Sequence, residues 1–74
     1  MEIIAKGDQL TIELEGKKAD AMVFLASPNG MSLMICFQAF IGGYVGMMPL
    51  FYDTKTNEYK DLIEGRIVKV TRHG

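Results

Sequence analysis

Residues 31–52 read MSLMICFQAFIGGYVGMMPLFY and contain no Asp, Glu, Lys or Arg. The charge-free run extends back to Ala21, so every formally charged residue of this 74-residue chain lies in residues 1–20 or 53–74. Such a run is a membrane span, a buried sheet or an adhesive surface. About 20 apolar residues suffice for a spanning helix, and Gly42 with Gly46 forms a small-xxx-small pair of the kind that lets membrane helices approach. Against a span stand Gln38, the tandem Gly42-Gly43, Pro49, and the absence of Trp or basic flanks. The tandem glycines weigh most: they read as a turn between two runs of about ten residues, each too short to span as a helix. A membrane-inserted hairpin is therefore the third reading.

Working outward, the remaining punctuation is also that of turns. Residues 9–15, QLTIELE, alternate polar and apolar, which predicts a half-buried strand with Leu10, Ile12 and Leu14 inward. Glu15-Gly16 follows as a tight turn, with glycine supplying positive φ. A second strand over residues 17–26 runs to Ser27-Pro28-Asn29-Gly30, the strongest hairpin signal in the chain. The strand after it would return over residues 31–41 and that after Gly42-Gly43 over residues 44–52. Pro49 lacks an N–H, which predicts an edge or a bulge near its position. Residues 53–57, DTKTN, make a further turn, and residues 58–63 and 66–72 form a last hairpin around Glu64-Gly65. Ile3 and Ile4 precede the Lys6-Gly7-Asp8 turn as a first short apolar piece. No segment has helical spacing with caps.

The expectation is an all-β domain over residues 1–74: a small antiparallel meander of six to seven short strands, closed as a barrel or roll of the size of SH3-like and oligonucleotide-binding folds. The hydrophobic fraction is 49% and the charged fraction 23%, which argues against disorder. A lone cysteine, Cys36, allows no internal disulfide, and no secretory leader pattern opens the chain. Both point to a cytoplasmic location.

The charge-free middle poses a specific difficulty. If residues 31–41 form a strand with Met31, Leu33, Ile35, Phe37, Ala39 and Ile41 on one face, the other face still holds Met34, Cys36 and Phe40 beside Ser32 and Gln38. A small antiparallel sheet normally keeps one face wet, so this second face calls for a cover. Another copy of the chain is the economical one, with another protein as the variant of the same idea. The expected self-association face comprises Met22, Phe24, Met34, Cys36, Phe40 and Met47. Methionines fill irregular interfaces readily.

Chemistry has little foothold. The candidate metal ligands Cys36, His73, Asp53, Glu58 and Asp61 show no metal-ligand spacing, so no metal and no cofactor are expected. Nucleophilic catalysis would need a base near Cys36 or a serine, and the single His73 sits at the fraying end of the chain. Asp61 and Glu64 look exposed by pattern. No catalytic residue is assigned, and a non-enzymatic role follows.

The alternative from a different class is a single-stranded nucleic-acid-binding barrel. Tyr44, Tyr52 and Tyr59 would stack bases, while Lys60, Arg66, Lys69 and Arg72 would meet phosphates. Net charge is −1, and Asp53, Glu58, Asp61 and Glu64 interleave with these bases, which argues against phosphate attraction.

Overall fold

The structure, a computed structural model, describes residues 3–73. Six antiparallel strands follow one another around a closed barrel: β1 (Gln9–Leu14), β2 (Lys17–Ala26), β3 (Ser32–Ile41), β4 (Tyr44–Asp53), β5 (Glu58–Asp61) and β6 (Ile67–His73), with β6 pairing back onto β1. The described residues contain no helix, and none is therefore long and apolar enough to cross a membrane. The opening stretch forms β3, the Gly42-Gly43 turn and β4.

The turns behave as their residues dictate. Glu15 and Gly16 both have positive φ (52° and 83°), as do Gly42 and Gly43 (57° and 90°). That pairing of signs belongs to the two-residue turns whose twist matches that of flanking strands. At the Ser27–Gly30 turn, the Ser27 hydroxyl donates to Asn29 Oδ1, which also accepts the Met31 N–H. The side chains thereby take over backbone bonding that the turn leaves open.

Strand alternation fills the barrel. Leu10, Ile12, Leu14, Val23, Leu33, Ile35, Ile41, Met48, Leu50 and Val68 are buried in one core, with Tyr44, Tyr59 and Val70 packed against it. Leu10, Ile12 and Leu14 point inward as the pattern predicts, and so do Leu33, Ile35, Phe37 and Ile41. Burying such side chains contributes roughly 1.5–3 kcal/mol each.

Several expectations need correction. The first short apolar piece lies outside the six strands: Ile4 packs on the core, and the chain joins the sheet through Gly7 N–H to Val23 O. The strand expected over residues 58–63 ends at Asp61, and residues 62–66 form a loop in which Gly65 N–H bonds Asp61 O. Pro49 lies on no edge, since β4 pairs with both β3 and β5. Its carbonyl accepts from Leu62 N–H on the β5 side, so its missing N–H also faces that side, beyond the point where β5 ends. His73 is the last residue of β6, and its Nε2 lies 2.6 Å from Thr11 Oγ1.

Candidate self-association face

Side chains that do not enter the barrel stand on its outer surface, and at Met22, Phe24 and Leu25 of β2, Met34, Cys36 and Phe40 of β3, and Val45, Met47 and Pro49 of β4 these are apolar. The register sets Met22 opposite Cys36 and Cys36 opposite Met47, a row across three strands. Leu25, Met34 and Pro49 form a parallel row, and Phe40 pairs with Val45 nearer the Gly42-Gly43 turn. Exposure is 47% for Met22, 51% for Phe24, 62% for Phe40 and 46% for Met47, while Met34 and Cys36 are half-buried between their neighbours. All six side chains stand on the outer surface of the barrel.

Two irregularities shape the face. Between Val23 and Leu25 the β2–β3 register shifts by one residue, so Phe24 is extra and both Phe24 and Leu25 are exposed. Strict alternation from Val23 would bury Leu25; a bulge reverses that, and nothing in the sequence marks it. The β3–β4 register shifts again between Cys36 and Phe40, opposite Gly46, whose φ of 79° suits glycine. This second shift adds an even number of residues, so Phe40 stays outward.

Leu25, Val45 and Pro49 extend the face beyond the six expected residues, and a further contributor comes from outside these strands. Leu62, assigned to a strand, lies in the loop after β5 and is exposed; with Leu25, Met34 and Pro49 it borders a shallow apolar groove at the margin of the face. The signal for it was present in Pro49, which cannot bond a continuing β5.

Of the residues expected on a nucleic-acid face, Tyr52, Tyr59 and Lys69 border one opening of about 420 Å³ beside β5 and β6, and the others lie outside it. Tyr44 and Tyr59 pack against the core; the Tyr59 hydroxyl donates to Gly30 O at 2.5 Å, and its ring meets Tyr52 edge-on at 5.0 Å. Lys60 is bonded to Asp53 at 2.8 Å and Arg72 to Asp8 at 3.0 Å. Arg66 reaches Glu15, Asp61 and Glu64 as well as the Gly42 carbonyl. Lys69 is exposed on β6.

Asp61, read as exposed from its pattern, is fully buried. Its carboxylate accepts from the Tyr44 hydroxyl, from the backbone N–H of Glu64 and Arg66, and from the Arg66 guanidinium. Burial pushes its pKa up, but these hydrogen bonds outweigh burial and hold the carboxyl below its ordinary value. Burial, together with the bond to Asp61, pushes the Tyr44 phenol above its ordinary value. The donors around Asp61 come from Tyr44 at the start of β4 and from Glu64 and Arg66 of the loop after β5, so the cluster ties these two segments together at one end of the barrel. Among the described residues no group of His, Cys, Asp and Glu is arranged to hold a metal ion. No protein family, characterised protein or solved structure matches this chain.

Proposed function

We propose that this protein is a non-catalytic β module that associates with copies of itself through the outer face of β2, β3 and β4, in an assembly or adaptor role. One observation carries the reading: the row Met22, Cys36, Met47, flanked by Phe24 and Phe40, is apolar across three adjacent strands and is not covered by its own chain. Contiguous exposed apolar surface on a small protein marks an interaction site more often than single exposed hydrophobics do. The described residues do not cover this surface, and a second molecule seated on it would remove it from water.

A copy of the chain suits the face because residues 21–52 carry no charge for a charged partner to complement. A nucleic-acid interface lacks comparable support, since Lys60, Arg66 and Arg72 each already hold a carboxylate. The test is the solution mass of Met47→Lys beside that of the unsubstituted protein. A lysine on the covered face would lose its hydration without gaining a partner, so the variant is expected to be folded and of lower mass. A folded variant of unchanged mass would exclude this face.

A further inference from the structure

The β2–β3 ladder stops at Ala21 opposite Phe37. Beyond it, residues 17–20 have ladder partners only on β1, and Phe40 and Ile41 only on β4. Between the parted strands lies an opening of about 730 Å³, bordered by Lys18 and Asp20, by Gln38 and Ala39, and by Met22 and Cys36 of the apolar row. Four residues of a strand occupy roughly 630 Å³, at about 3.3 Å rise, 4.8 Å spacing and 10 Å thickness. The opening is of that order.

Antiparallel strands direct the N–H and C=O of successive residues to opposite neighbours. Val23 bonds through both groups to the chain on the β1 side, to Asp8 O and Gly7 N–H. Residues of opposite parity, Lys18 and Asp20, therefore direct their backbone groups toward the opening. An edge of this kind is a template for another strand. Lysines at an edge ordinarily blunt it, but here Asp20 follows Lys18 at the two-residue spacing that places both side chains on the same outer face, and both are exposed.

We propose that the strand that pairs here is β2 of a second copy, antiparallel about a two-fold axis at Ala19. That register sets Lys18 of each copy opposite Asp20 of the other, so two hydrogen-bonded pairs each carry opposite charges. Moving the axis by one residue sets Lys18 opposite Lys18 or Asp20 opposite Asp20, so charge selects one register. Neither side chain is strongly engaged at home. Asp20 accepts only a 3.4 Å contact from the Thr11 hydroxyl, and Lys18 stands across from Glu13 of β1 with no ion pair among the described residues. The inference rests on the self-association reading and adds a second contact between copies at the margin of the apolar face; it continues that face from copy to copy, while the face itself is covered by a separate contact.

The test is charge reversal. Lys18→Asp and Asp20→Lys, each checked for folding by thermal melting, are expected to weaken association by about tenfold, and the double variant to recover it. Independently of any variant, the Lys18 amide of the unsubstituted protein is expected to exchange with deuterium more slowly as protein concentration rises. If both single variants keep the full mass while Met47→Lys dissociates, the strand-edge contact is overturned and the outer-face reading stands. A Lys18 amide whose exchange does not depend on concentration also overturns the contact. An unsubstituted protein that is monomeric throughout overturns both readings.

Discussion

The hydroxyl of Tyr44 donates to Oδ2 of Asp61 at 2.7 Å, joining the start of β4 to the end of β5 inside the barrel mouth. Arg66 closes over both, with its guanidinium carbon 6.0 Å from the centre of the Tyr44 ring and its Nη2 on the same carboxylate oxygen. Removing the carboxylate leaves a phenol, two backbone N–H groups and a cation without their common acceptor. Asp61→Ala is expected to lose about 3 kcal/mol of folding stability, in the range found when one partner of a buried ion pair is removed. Chemical denaturation measures it.

The same carboxylate sets an acid limit. Its pKa is lowered in the folded state, so the unfolded chain binds the proton more readily, and the stability that Asp61 contributes is complete above the ordinary carboxylate pKa of about 3.9. It is lost as pH falls through the lower folded value. Asp53, lowered chiefly by its hydrogen bond from Lys60, acts with the same sign. Melting temperature is expected to drop below about pH 4, and to drop less steeply in Asp61→Asn, whose side chain has no proton to take up in this range. Equal slopes in the two proteins would remove Asp61 from the explanation.

Two adjacent glycines are predicted to differ. A Cβ on Gly43 would meet nothing within 4 Å, whereas one on Gly42 would stand 2.5 Å from Leu14 Cδ2 and 3.2 Å from the Arg66 guanidinium. Both have positive φ. Gly43→Ala should cost about 1–2 kcal/mol for the left-handed backbone, and Gly42→Ala should cost about 1–3 kcal/mol more from overpacking. Paired denaturation curves decide it; equal costs would mean that Leu14 and Arg66 yield freely.

Phe40 and Ile35 test the two faces of β3. Ile35→Lys places a charge in the core and is expected to abolish folding, while Phe40→Lys is expected to melt within about 1 kcal/mol of the unsubstituted protein and to associate less. If Phe40→Lys also unfolds, the outer surface is part of the single-chain core.

The extent to which the fold was legible follows from the kinds of signal involved. Strand alternation over Leu10, Ile12 and Leu14, and the turn chemistry at Glu15-Gly16, Asn29-Gly30 and Gly42-Gly43, are local, so the meander could be read from neighbouring residues. The apolar residues of β3 were legible for the same reason: Leu33 and Ile35 fall on one parity, Met34 and Cys36 on the other. What escaped depends on distant partners. Asp61 looks like any charged residue of an exposed strand, and only the closed barrel brings Tyr44 and Arg66 onto it. The bulge at Phe24 lies just past the residues of β2 that pair with both β1 and β3, and no residue type announces it. The opening beside Lys18, where β2 has no β3 partner, is likewise a matter of pairing between distant strands.

The central claim is that the charge-free middle of the chain is covered by a second copy. Its most direct test is the mass of detergent-free protein by light scattering across a tenfold dilution. A multimer that dissociates on dilution or on Phe40→Lys substitution is the predicted result. A monomer at every concentration, with Phe24, Phe40 and Met47 left in water, would contradict it.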